Sequence, residues 1–280
     1  MNQNRVTAVA EALAALGHDG IAAFDRTEPE YDTLTTLYDE YDDETYVKLL
    51  GIVTTTEDFQ LNGNAQRFWK KLTEVALDHG ELASIQDVEG IMDAFMSASV
   101  NARFNSMKRG RLTTLFNSGF PQWFVENHRT VAPVTVWNEL AYGLNNERHK
   151  KTVVLSMKIF DIAHLIRHGE YLEFPHDIPI PCDLQVERVS RTSGIINTDK
   201  TTNILEAWAE VMALTSELLN EHISLLRIDS IVWQAGQIIG KEEPDQSAAR
   251  EALISHFKSV GIGRSERTRL ADELTAAMVE

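Results

Sequence analysis

The stretch "ERHKKTVVLSMKIFDIAHLIRHG", residues 147–169, decides the class of fold. Its apolar residues, among them Val153, Val154, Met157 and Phe160, recur at three- and four-residue intervals, which gathers them on a helix face. Gly169 stands where a left-handed residue ends a helix. The spacing predicts one long helix over 147–169, largely buried, with the charged run at its front.

The same period recurs outward in both directions. It marks residues 6–16, 45–59, 64–77, 84–100 and 133–144 before this stretch, and 182–194, 203–222, 224–240, 245–261 and 265–278 after it. Gly17–Gly20 closes the first helix, and Gly194, Gly240 and Gly261 stand at expected helix ends. No segment alternates at period two for long, and there is no repeat, low-complexity tract or sharp linker. The expectation is an all-α protein of about a dozen helices.

Composition narrows the class further. With 43% hydrophobic and 24% charged residues, the 280-residue chain is a globular protein rather than a disordered one. It has no run of about 18 apolar residues and no charged-then-apolar leader, so no membrane partner is expected. The lone Cys182 excludes internal disulfides and cysteine metal clusters, and suits the cytoplasm. A net charge of −16 opposes approach to a polyanion. The charge is uneven, however. Residues 28–45 hold acids and no base, whereas 103–111 ("RFNSMKRGR") and 148–151 ("RHKK") are basic. Each run reads as a solvated helix surface, and together the basic ones allow a locally positive face.

Four places could carry chemistry. Lys151 opens the apolar run, and Lys158 lies two turns on along the same face. Burial and the neighbouring Arg148, His149 and Lys150 would favour a neutral, nucleophilic amine; a snorkelling lysine would have the same pattern. In "EFPHDIPIPCDLQVERVSR" (173–191), Pro175, Pro179 and Pro181 hold an extended approach that ends at Asp183. That carboxylate is a helix N-cap or a working group. Asp229 and Trp233, four residues apart, set an acceptor beside an aromatic plate, a seat for a flat heterocycle unless both are simply core. In "FQLNGNAQRFW" (59–69), Gln60 and Trp69 flank a turn, and the Gln60 amide offers both donors and acceptors. Phosphate-loop, nucleophile-elbow, dinucleotide and zinc spacings are all missing.

Taken in order, "FQLNGNAQRFW", "ERHKKTVVLSMKIF", "DIPIPCDLQVERVSRTSGI" and "RIDSIVWQAG" resemble the archaeal GO (8-oxoguanine) DNA glycosylases, a branch of the helix-hairpin-helix DNA glycosylase superfamily. The resemblance runs from about residue 46 to 240. It implies two helical subdomains around a cleft, with residues 1–25 as an N-terminal helical extension and 26–280 as the glycosylase-like domain. It implies Lys151 as the nucleophile that expels the base and forms a Schiff base, and Asp183 as the carboxylate that serves it and stabilises charge on the sugar. Gln60, Trp69, Lys158, Asp229 and Trp233 match positions lining the pocket of the flipped base. The substrate implied is double-stranded DNA carrying a damaged or modified base, bound by a monomer without metal or cofactor. The hairpin "YGLNNERHKK" departs from the superfamily's Gly-x-Gly turn, leaving Asn145, Asn146, Arg148 and Lys150 to hold phosphate. Two alternatives stand beside 8-oxoguanine excision: the same mechanism on another modified base, as in defence against phage DNA, and a helical DNA-binding module without catalysis.

Overall fold

The computed structural model describes residues 1–278, and these form fifteen α-helices and a single 3₁₀ turn, with no strand among them. The chain opens with α1 (Gln3–Ala14) and α2 (Gly17–Asp25). It continues through α3 (Pro29–Glu40), α4 (Glu44–Thr55), α5 (Ala65–His79), α6 (Ile85–Met96), α7 (Asn105–Asn117), α8 (Phe120–Asn127), α9 (Pro133–Gly143) and α10 (Lys151–His168). It ends with α11 (Leu184–Thr192), α12 (Thr201–Leu219), α13 (Leu225–Glu242), α14 (Gln246–Val260) and α15 (Arg264–Thr275). Two compact units result: Met1–Thr27 joined with the chain from Pro175 on, and Glu28–Phe174.

Local chemistry sets many of the helix ends. Asn2, Asp43, Asn64, Ser84, Asp183 and Asp245 each accept a first-turn backbone N–H, satisfying donors that the helix itself leaves open. Asp87 answers the Ser84 cap, since its carboxylate accepts from the Ser84 hydroxyl at 2.7 Å and from the Ala83 N–H at 3.0 Å. Pro29, Pro121 and Pro133 sit in first turns, where a missing N–H costs nothing.

In the first unit, α1 packs along α12 and α15, and α11 along α13. Val6, Val9, Ala10 and Leu13 of α1 enter the same core as Trp208, Phe257 and Leu274. Arg5 donates to the carbonyls of Ser193 and Glu273, both at 2.8 Å, so the N-terminal helix is built into this unit. Trp208 is fully buried with its indole N–H on Ser190 Oγ at 2.7 Å, and Phe24 meets Phe257 edge-on at 5.4 Å.

The second unit is arranged on α10, whose residues 152–163 are all buried. Helix α4 lies against it at Gly51, where a Cβ would sit 3.0 Å from Ile159 Cγ2 and 3.3 Å from Leu34 Cδ2. The close approach explains the glycine. Phe68, Trp69 and Phe95 form an edge-on aromatic cluster under α5 and α6.

The all-helical reading holds, with four differences of detail. The long helix starts at Lys151 rather than 147, because residues 144–150 fold into turns. Helices α2, α3, α7 and α8 lie in segments whose turn residues or charge runs mask the period. The acidic run is solvated only in part: Asp32, Asp39, Glu40, Asp42 and Asp43 are exposed, but α3 turns Glu30, Thr33, Leu34 and Leu37 inward, and the preceding Glu28 is buried too. Finally, Gly240 does not end a helix. It lies inside α13, where a Cβ would meet the Arg188 guanidinium at 2.6 Å.

Candidate active site

Lys151 is the first residue of α10, and the second unit holds it from both sides. On the approach, Asn145 takes a left-handed backbone with φ 48°, and the Asn145 and Asn146 N–H groups return to Tyr142 and Ala141 carbonyls at 2.9 Å. Asparagine thus occupies the turn position that a glycine would otherwise take. The Trp137 indole N–H donates to the Arg148 carbonyl at 2.7 Å, while the Arg148 guanidinium lies 4.5 Å over the same ring. Lys150 pairs with Glu147 at 3.2 Å and supplies no side-chain cap. Immediately after Lys151, the Thr152 hydroxyl accepts from Arg111 Nη2 at 2.5 Å.

Two turns into α10, Lys158 is 2% exposed and lies 3.6 Å from Glu28, which is 1% exposed. Glu30 and Asp58 complete a buried group of three carboxylates around one lysine. Burial, then the Glu28 charge, pushes the Glu30 carboxyl well above the usual carboxylate range, against the pull of Lys158. Burial thus favours the protonated form of Glu30. Its Oε2 is buried without a hydrogen-bond partner among the described residues, and so is Nε1 of the fully buried Trp69. The two belong to neighbouring helices: one turn further along each, Thr73 Oγ1 donates to Thr33 Oγ1 at 3.1 Å. An orphan acceptor and an orphan donor thus sit in the packed α3–α5 layer.

Gln60 stands elsewhere on this unit's surface, exposed, with φ 47°, and its amide oxygen accepts from Arg103 at 3.0 Å. The basic run around it is largely engaged internally. Lys108 is fully buried over Phe59, at 5.0 Å, and donates to Asn101. Arg109 pairs with Asp93, and Arg111 turns toward Glu57. Glu57 is itself fully buried; desolvation raises its carboxyl to about 7, partly offset by Thr56, Arg111 and Lys108.

In the first unit, the proline segment delivers Asp183 to the N-cap of α11, where Oδ1 accepts from Gln185 N at 2.8 Å and Val186 N at 3.2 Å. Asp229, 3% exposed, and the half-buried Trp233 share a stripe of α13 with Gly236. A Cβ on Gly236 would lie 2.7 Å from the Gln185 carbonyl oxygen, so the start of α11 crosses that stripe. The unit thereby brings Asp183, Asp229 and Trp233 to one region. Around them Ser230 donates to Asp25, and Gln234 donates to the Phe24 carbonyl at 3.0 Å.

Sequence reasoning missed Glu28, Glu30, Asp58, Glu57, Arg111 and Thr152. A signal for Glu30 existed, since positions 30, 33, 34 and 37 form a helical inward stripe. Nothing in the local spacing marked Glu57 or Arg111.

A family model described as AGOG, N-glycosylase/DNA lyase, matches residues 10–273. An N-glycosylase/DNA lyase of Thermococcus kodakarensis is 26% identical over 236 residues, covering 83% of this chain and 84% of its own. One from Pyrobaculum aerophilum is 22% identical over 240 residues, covering 85% and 88%. Among solved structures, the 8-oxoguanine DNA glycosylase Pa-AGOG from Pyrobaculum aerophilum, complexed with 8-oxoguanosine, superposes with a TM-score of 0.72 at 18% identity. That match covers 97% of both chains and carries the likeness of fold.

Proposed function

Because the chain belongs to the AGOG N-glycosylase/DNA lyase family, we propose that it excises 8-oxoguanine from double-stranded DNA and then cleaves the strand, with Lys151 as nucleophile. The observation that carries the substrate reading is the buried, unpartnered pair of Trp69 Nε1 and Glu30 Oε2 in the unit that also buries Lys158. Leaving a buried donor and acceptor without partners costs about 1–3 kcal/mol each, and these two lie on adjacent helices beside the buried Lys158 group. The edge of a flipped purine satisfies both.

In this reading the neutral Lys151 amine attacks C1′ of the flipped nucleotide while the glycosidic C–N bond breaks, and the base departs with a proton from the attacking nitrogen. The ring oxygen then leaves as the 4′-hydroxyl, taking the proton that Asp183 holds, and the lysine nitrogen becomes a protonated imine to C1′. Loss of a C2′ proton expels the 3′-phosphate by β-elimination, and water releases the lysine. Asp183 accepts the proton that frees the amine and stabilises positive charge developing on the sugar. Its Oδ1 caps α11 meanwhile, which a carboxylate with four lone-pair sites allows.

Lys158, Trp69, Gln60, Asp229 and Trp233 are assigned to the base. Trp233 offers stacking and Asp229 an acceptor for ring N–H groups. We add Glu30: burial favours its protonated form, in which the carboxyl offers one O–H donor beside its acceptor oxygen. Guanine and 8-oxoguanine differ at N7, which carries a hydrogen only in the oxidised base, and the acid-rich surroundings of Lys158 suit a base rich in N–H groups. Asn145, Asn146, Arg148 and Lys150 are assigned to backbone phosphates. The protein acts as a monomer in the cytoplasm, associated with the nucleoid.

Excision assays on duplexes with a single 8-oxoguanine, a guanine, or one of several other modified purines test this reading. Release of 8-oxoguanine with guanine untouched is the expected result. Release of a different modified base alone would move the substrate and keep the chemistry. Binding with no release from any duplex would leave the non-catalytic module.

A further inference from the structure

The placement of Arg111 has no explanation in the reaction so far. It lies on α7, its side chain is 21% exposed, and burial lowers its ordinary pKa. Withdrawing a guanidinium from water is costly unless its donors find acceptors. Nη2 reaches Thr152 Oγ1 at 2.5 Å, whereas Nε faces Oε1 of the fully buried Glu57 at 3.9 Å, an ion pair beyond hydrogen-bond reach. Thr56 Oγ1 fixes that same Oε1 at 2.9 Å, and the Phe59 ring lies 5.9 Å beneath the guanidinium. Arg111 is thus held from behind and aimed at one hydroxyl.

That hydroxyl belongs to the residue after Lys151. The first turn of α10 lacks a side-chain cap, and an uncapped turn is where a helix frays. Here it is fastened at two points. Trp137 holds the Arg148 carbonyl three residues before Lys151, and Arg111 holds Thr152 one residue after it. Ser156 Oγ secures the same turn from within, 2.9 Å from the Thr152 carbonyl oxygen and 3.1 Å from that of Ile52.

We propose that Arg111 is a positioning residue for the lyase reaction, setting the Lys151 amine through its hydrogen bond to Thr152. The proposal rests on the reading of Lys151 as nucleophile. Because a nucleophile displaced by about 1 Å can lose roughly a hundredfold in rate, one such tether is enough to matter.

The test is single-turnover formation of the borohydride-trapped imine on a duplex containing an abasic site. Wild type, Arg111→Met, Thr152→Val and the double variant are compared at saturating DNA, with duplex affinity and thermal midpoint measured alongside. Each single variant is expected to slow trapping about tenfold with affinity unchanged within about twofold. The double variant is expected to be no slower than the slower single, as for residues acting through one contact. A double variant slowed about a hundredfold would overturn the proposal, because Arg111 would then act without Thr152. Weakened affinity at an unchanged rate in Arg111→Met would overturn it in favour of a phosphate contact. A lowered thermal midpoint with an unchanged rate would reduce Arg111 to a structural role. Should Arg111→Met fail to fold, the near-isosteric Thr152→Val decides alone, and an unchanged rate there overturns the proposal. A wild type that forms no adduct at all would instead remove the reading of Lys151 on which the proposal stands.

Discussion

Replacing Glu57 by glutamine should change how stability depends on pH. The carboxyl is fully buried; Oε1 accepts from Thr56, and Oε2 has no hydrogen-bond partner among the described residues. Burial raises it from 4.5 to about 7. Between those values the native protein keeps the proton that the unfolded chain has released, so stability falls as pH rises. The contribution is complete below 4.5 and lost as pH passes through about 7. A shift of that size corresponds to about 3 kcal/mol once the group is fully ionised. Glutamine keeps the shape and cannot ionise. Urea unfolding of wild type and Glu57→Gln from pH 5 to pH 8.5 should therefore give curves that diverge. The variant gains relative to wild type with rising pH, by up to about 3 kcal/mol. Glu30, shifted in the same direction, is present in both proteins and cancels in the difference. Parallel curves would refute the reasoning, since they would mean that Glu57 does not titrate with a raised value in the native state.

Two further variants separate roles that coincide in one residue. Asp183→Asn should keep the α11 cap and stability within a few tenths of a kcal/mol, because asparagine caps as well as aspartate, yet lose roughly a hundredfold or more in single-turnover excision. Asp183→Ala should lose both, with about 1 kcal/mol of stability gone in urea unfolding. Glu30→Gln should excise within about threefold of wild type, since burial favours the protonated carboxyl and an amide keeps its shape with a donor and an acceptor. Glu30→Leu should be slower by about tenfold or more in the same assay.

How far the molecule could be read from its sequence depended on whether a residue's burial was local or remote in origin. The body of α10 was legible because Val153, Val154, Met157 and Phe160 keep helical period without interruption. Its start was not, because Lys150 occupies the cap and nothing in "ERHKK" resembles a capping residue. Asp183 was legible from its prolines. Glu28 and Glu30 were not, because a run of acids reads as solvated surface. Their burial depends on Lys158, brought from far along the chain, and on the inward stripe of α3. The basic run misled for the mirror reason: Lys108 and Arg111 point at Asn101, Glu57 and Thr152 rather than at solvent. Gly240 misled because a glycine that admits the Arg188 side chain looks, in sequence, like one that ends a helix.

The central claim is that Lys151 becomes covalently joined to the sugar, and its most direct test is chemical. The protein is incubated with a duplex carrying one 8-oxoguanine in the presence of borohydride, and the adduct is digested and its attachment point mapped by mass spectrometry. The account predicts a reduced adduct on the peptide containing Lys151, absent from Lys151→Ala under the same conditions. An adduct on another lysine, or one that persists in Lys151→Ala, would contradict it.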